Sequence, residues 1–161
     1  LNTLYAESTI LNGEARFVEC RLRASVYVLR APGIGTFEVA LDGSLGECSI
    51  ESGADPATVE VFRLGPVLVL SLALKERFCL HASAVGIDGR AGAFLGASGA
   101  GKSTLAALLD GLRLATRLAD DILPVGSAAT VFPRFPQLKL SPTQQHGKFL
   151  PESLPLAAVY L

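Results

Sequence analysis

Methionine and tryptophan are absent from this chain, and its 161 residues include only two histidines and three cysteines. Cys20, Cys48 and Cys79 are widely spaced and odd in number. That excludes a disulfide framework and a C-x-x-C metal pair, and predicts reduced, buried thiols. Charge is scarce too: 18% of residues are charged and the formal net charge is −1, which excludes a broad nucleic-acid footprint. No charged-then-apolar segment opens the chain. The longest apolar stretch, Leu64 to Leu74, is too short for a bilayer and contains Pro66. No membrane partner is expected, and the expected compartment is the cytoplasm. The lack of an initiating Met, and a strand-like ending at Ala157-Ala158-Val159-Tyr160-Leu161, point to further residues outside these 161.

What is present is strongly apolar. Half the residues are hydrophobic and the mean hydropathy is +0.42. A well-filled core is expected, with apolar surface left for a partner subunit in a homo-oligomer. The length suits one domain, or one domain with a small appendage.

Turn signals divide the chain. Arg16 to Leu29 holds alternating stretches, Ala31-Pro32-Gly33 breaks the pattern, and Thr36 to Leu41 is closed by Asp42-Gly43. Residues 1–55 therefore read as an antiparallel β segment. Pro56 follows Asp55 as a first helical residue follows its N-cap. Ala57 to Arg77 is expected to form one or two buried helices, broken or kinked at Gly65-Pro66. Residues 56–161 are then assigned to the second part, the core that contains the site. In it Phe78 to Leu80, Ala82 to Ile87 and Ala91 to Leu95 read as strands, with Asp88-Gly89 as a tight hairpin turn. A helix ending near Gly111 follows, then strands near Leu114 to Ala119, Ile122 to Val125 and Ala129 to Phe132. Gln137 to Leu140 reads as extended. The hairpin sets an antiparallel neighbour before the next motif, where standard mononucleotide folds use parallel crossovers.

That motif is Gly96-Ala97-Ser98-Gly99-Ala100-Gly101-Lys102-Ser103, which fits G-x-x-x-x-G-K-[ST]. Its glycines let the backbone curl so that N–H groups point at phosphate oxygens. Lys102 then reaches the β/γ-phosphates and the Ser103 hydroxyl sits on Mg²⁺. The helix starting near Ser103 adds its positive N-terminal dipole, and Leu105, Leu108, Leu109 and Leu112 follow at helical spacing. Gly96, Ser98, Gly99, Ala100, Gly101, Lys102, Ser103 and Thr104 are the expected nucleotide contacts. Asp120-Asp121 ends the next strand, where a carboxylate holds Mg²⁺ directly or through water and a second one accepts a proton from an attacking hydroxyl. His81 stands between two strand-like runs and reads either as a hydrogen-bonded core residue or as a partner of the site. Arg134 and Lys139 read as surface charges or as phosphate-neutralising groups. His146, among Gln144, Gln145 and Gly147, reads as loop and carries no metal-ligand spacing.

Three runs together, His81-Ala82-Ser83-Ala84-Val85, Phe94 to Thr104, and Leu118-Ala119-Asp120-Asp121, resemble the catalytic domain of HPr kinase/phosphorylase. The chain resembles more closely the HPr-kinase-like proteins, some of which phosphorylate peptides such as lasso-peptide precursors. The resemblance covers residues 78–140. It implies an α/β, phosphoenolpyruvate-carboxykinase-like P-loop fold with a mixed sheet, preceded by the small β-rich segment. It further implies that Asp120 and Asp121 divide metal binding and general-base work, with His81 close to the base. Thr104 stands where the HPr enzymes usually carry Glu, and their Glu-x-Arg-Gly signature is absent from these residues. Both departures point away from HPr as substrate and from the reverse phosphorolysis.

The expected function is an ATP- and Mg²⁺-dependent kinase acting on a serine hydroxyl of a peptide or protein. Lys102 polarises the phosphates, Ser103 and one Asp hold the metal and the other Asp is the base; Asp120 is assigned to the metal and Asp121 to the base, and as neighbours the two could exchange roles. The alternatives are a nucleotide-binding regulatory module without acceptor chemistry, or a small-molecule kinase on the same fold.

Overall fold

A computed structural model describes residues 2–11, 13–135, 137, 139–140 and 150–161. His146 therefore lies outside the described residues, as does Leu138 within the segment expected to be extended. The architecture is mixed α/β, with two sheets and little helix. The chain divides into two compact units, Leu1–Lys75 and Glu76–Leu161.

The first unit is an antiparallel meander of β1 (Asn2–Leu11), β2 (Glu14–Arg23), β3 (Val26–Ala31), β4 (Gly35–Ala40) and β5 (Leu45–Ile50), paired in sequence order. Strand periodicity is plain in β4, where Gly35, Phe37 and Val39 are buried and the residues between them are not. Asp55 caps α1 (Pro56–Phe62) by accepting from the Thr58 N–H at 2.9 Å, and Pro56 stands at the first turn, where no N–H is needed. Pro66 does not break the helix. A π turn (Arg63–Val67) absorbs it, with the Leu68 N–H reaching the Arg63 carbonyl, and α2 (Leu68–Leu74) continues. The uninterrupted run Pro56–Leu74 is 19 residues long with mean hydropathy 1.7, long and apolar enough by length and composition alone to cross a membrane, which the Leu64–Leu74 stretch is not.

Phe62 and Val67 of this run pack with Leu29, Phe37 and Val39 of the sheet and with Ile34 of the β3–β4 turn, and the Phe37 and Phe62 rings lie 5.3 Å apart. The helices thus belong with residues 1–55 rather than with the second part, because their apolar face is buried against this sheet. Gly43 holds α2 close to the β4–β5 turn. Its carbonyl accepts from Ser71 Oγ at 2.6 Å, and a Cβ there would stand 2.4 Å from the Ser71 carbonyl oxygen.

The second unit is a seven-stranded mixed sheet. Its strands are β6 (Phe78–His81), β7 (Ser83–Ile87), β8 (Arg90–Phe94), β9 (Thr116–Ala119), β10 (Ile122–Gly126), β11 (Thr130–Val131) and β12 (Leu154–Tyr160), in the order β6-β10-β11-β12-β8-β7-β9. Asp88 (φ 48°) and Gly89 (φ 74°) make the tight β7–β8 turn that the Asp-Gly pair predicts. Among the described residues only β12 and β8 pair in parallel. The sheet curls back on itself because β6 runs into β7 and β9 runs into β10. His81 pairs with Ile122 and Ala84 with Ala119 in one shared register, which sets Ser83 opposite Asp120 and Ala82 opposite Asp121. The Ala82 N–H donates to the Asp121 carbonyl at 3.3 Å, keeping the ladder closed there.

Small side chains line the inside: Ala82, Ala84, Ala91, Ala93 and Ala119 pack with Leu118, Leu123 and Val131. Ala106 of α3 (Lys102–Gly111) meets Val85 and Ala115. The leucine stripe of α3 faces mostly outward, with Leu105, Leu108 and Leu112 exposed and Leu109 half-buried. Cys48 is exposed, against the expectation of burial, since all of β5 is exposed. Cys20 and Cys79 are half-buried, and burial pushes the Cys79 thiol up to about 11.

Candidate active site

The β8 strand ends at Phe94, and the chain then turns through Gly96 (φ 134°), Gly99 (φ 83°) and Gly101 (φ 87°) before α3 begins. Gly99 and Gly101 occupy the left-handed region that side chains disfavour, so the loop needs glycine at both. Ala100 N–H closes a turn on the Ala97 carbonyl at 3.2 Å, and Leu105 N–H reaches the Gly101 carbonyl at 2.9 Å to open the helix. The Lys102 ammonium folds over this loop, donating to the carbonyls of Gly96 (2.8 Å) and Ala97 (2.9 Å).

A cleft of about 210 Å³ opens here, lined by Ser98, Gly99, Gly101, Lys102, Ser103 and Thr104 from the loop and α3. Ser83, Asp120, Asp121, His81 and Lys139 face them. Gly96 and Ala100 shape the turn behind this lining. Asp120 is 5% exposed and tied on every side. Its Oδ1 accepts from Ser83 Oγ at 2.6 Å and from Ser103 Oγ at 2.7 Å, while Arg117 pairs with Oδ2. Its N–H donates to Gln137 Oε1 at 3.0 Å, and Gln137 Nε2 donates to the Leu118 carbonyl at 3.0 Å. Burial, the largest influence, would raise the Asp120 pKa. The hydrogen bonds from Ser83 and Ser103 and the charges of Arg117 and Lys139 outweigh it, and the carboxyl is held below its ordinary value.

Asp121 differs from its neighbour. Adjacent strand residues face opposite ways, but Asp121 has φ 85°, and both carboxylates line the one cleft. Two cationic or ionisable groups meet on its Oδ1: His81 Nδ1 at 3.2 Å and Lys139 Nζ at 3.1 Å. The His81 side chain is 61% exposed, so it is not a core histidine.

The structure thus brings His81, Lys102, Ser103, Asp120 and Asp121 to one cleft. Lys139 joins them through its contact with Asp121. Arg134 does not line the cleft; its Nε donates to the Leu150 carbonyl at 2.6 Å. Ser83, Arg117 and Gln137 were missed. A charged residue inside the apolar strand Thr116–Ala119 was the available signal for Arg117; the other two depend on register and chain return.

Among the described residues no group of three or more His, Cys, Asp or Glu is placed to hold a metal. Mg²⁺ beside a phosphate loop does not require one, since it keeps waters and takes one or two carboxylates plus phosphate oxygens. Ser103 Oγ and the ionised Asp120 supply that kind of oxygen set, so the residues present fit the ion. No family model, curated protein or solved structure matches this chain.

Proposed function

We propose that Glu76–Leu161 is the nucleotide-binding core of an HPr-kinase-like, ATP- and Mg²⁺-dependent kinase that phosphorylates a serine hydroxyl of a peptide or protein. The observation that carries this reading is a carboxylate beyond the one the metal needs. Asp121, held by His81 and Lys139, faces the same cleft as Lys102 and Ser103. Ser103 and Asp120 already supply the protein oxygens for the metal, which leaves Asp121 for the acceptor hydroxyl. The antiparallel β7–β8 hairpin ahead of the loop and the mixed sheet support the carboxykinase-like P-loop fold.

The chemistry follows from the positions. Backbone N–H groups of the loop and the start of α3 take the phosphate oxygens. Lys102 exchanges the Gly96 and Ala97 carbonyls, which already draw its ammonium inward, for the more negative β/γ-phosphates. Ser103 and Asp120 would hold Mg²⁺, which would neutralise charge on those phosphates. Asp121 accepts the proton of the acceptor serine as its oxygen bonds to the γ-phosphorus and the bond from that phosphorus to the ADP oxygen breaks. His81 fixes the Asp121 carboxylate from the solvent side.

The test is incubation with ATP labelled on its γ-phosphate and a library of serine-containing peptides. Label on peptide serine is the expected result. Tight ATP binding with no label transferred to any peptide would sink the kinase assignment in favour of a regulatory module. Label on small metabolites alone would favour the small-molecule kinase.

A further inference from the structure

One hydroxyl at the cleft has no part in the chemistry above. Ser83 is 1% exposed, yet it lines the cleft wall and donates to Asp120 Oδ1 at 2.6 Å, the same oxygen that takes the Ser103 hydroxyl at 2.7 Å. The two hydroxyl oxygens lie 3.4 Å apart. Their settings differ. Ser103 is in the first turn of α3 and lines the cleft, whereas Ser83 is the first residue of β7, paired with Phe94 and one residue before the Ala84–Ala119 pair.

We infer that Ser83 is the positioning residue of the metal site: it holds the Asp120 carboxylate in one orientation while Ser103 serves the cation. This rests on the nucleotide and Mg²⁺ reading above. A carboxylate with Arg117 on one oxygen and a rigid hydroxyl on the other cannot rotate about its own axis. The remaining acceptor direction of Oδ1 is thereby aimed at Ser103 and the cleft. Without Ser83, that orientation depends on Ser103 alone, the residue that must also face the ion. Hydrogen bonds that orient a ligating carboxylate are worth about 10–100-fold in metal affinity.

The experiment measures ATP affinity of the full chain by calorimetry, once with saturating Mg²⁺ and once in EDTA, for wild type, Ser83→Ala and Ser83→Cys. Wild type should bind more tightly with Mg²⁺. In Ser83→Ala that Mg²⁺-dependent gain should shrink by about ten-fold or more, with affinity in EDTA unchanged. Ser83→Cys fills the site with a slightly larger atom that is only a weak donor, and should show the same loss; it carries the test if the alanine protein does not fold. A merely structural serine would weaken both affinities equally, and that result overturns the inference, as does an unchanged Mg²⁺ gain in both variants. Wild-type protein without Mg²⁺-dependent ATP binding would overturn the nucleotide reading and this inference with it.

Discussion

Asp120→Asn removes one negative charge from the most tightly bonded side chain of the site. The amide keeps the shape, but it can no longer meet Arg117 and two hydroxyls as an all-acceptor group. If its oxygen turns to Arg117, its NH₂ faces Ser83 and Ser103, whose hydroxyls must reverse to accept. Arg117 also loses its counter-ion, and its Nε is already buried without a partner among the described residues. Removing one partner of a buried ion pair costs about 3–5 kcal/mol. The Arg117 side chain keeps 19% exposure, so water recovers part of that, and about 2–3 kcal/mol is expected at pH 7.

The loss has a pH signature. The folded Asp120 carboxyl is held below its ordinary value, so its contribution is fully present above the unfolded value of about 3.9 and fades as pH falls through the lower, folded one. The gap between wild type and variant should therefore be flat near neutrality and close in acid. Urea unfolding followed by circular dichroism, with hydrogen exchange on amides of Glu76–Leu161, measures it. A gap under about 1 kcal/mol at pH 7, or one that persists unchanged to pH 3, would refute the reasoning.

Lys102→Ala should weaken ATP binding about 10–100-fold by calorimetry, the value of a charge-assisted hydrogen bond, with little change in melting temperature because its present partners are only loop carbonyls. Asp121→Asn should keep ATP affinity and lose about 10²–10⁴-fold in phosphoryl transfer to peptide, measured with γ-labelled ATP, since an amide cannot take the serine proton. Gly43→Ala should destabilise Leu1–Lys75 by more than about 2 kcal/mol in thermal unfolding. It combines a left-handed backbone (φ 77°) with a Cβ 2.4 Å from a main-chain oxygen.

Local chemistry made several elements legible. Asp55-Pro56 starts a helix because the carboxylate answers an orphan N–H and proline needs none. Asp88-Gly89 makes a hairpin because both residues accept positive φ. Allegiance was not legible. The apolar residues of Ala57 to Leu74 announce a buried helical face without saying against what, and that face lies on the meander. The α3 leucines mislead for a related reason. Helical spacing shows that they share a face, but α3 packs through the small Ala106 against Val85 and Ala115, with Leu109 half-buried beside it, leaving Leu105 and Leu108 outside.

The candidate site divides along the same line. Lys102, Ser103 and the Asp pair stand out because each belongs to a short run whose residue types carry a mechanism, whereas His81 is singled out only by the resemblance. Ser83 and Lys139 gain their roles only from long-range placement. Ser83 faces Asp120 because His81–Ile122 and Ala84–Ala119 share one register; a shift of one residue would turn that hydroxyl to the other face. Lys139 reaches Asp121 by a return of the chain that no local pattern encodes. The Asp pair itself hid a conflict, since neighbours in a strand point apart. The left-handed backbone at Asp121 resolves it, a conformation that a non-glycine residue adopts at some energetic cost. Here the departure from strand geometry sets two carboxylates on one cleft, the arrangement that a metal-holding group and a proton acceptor both require.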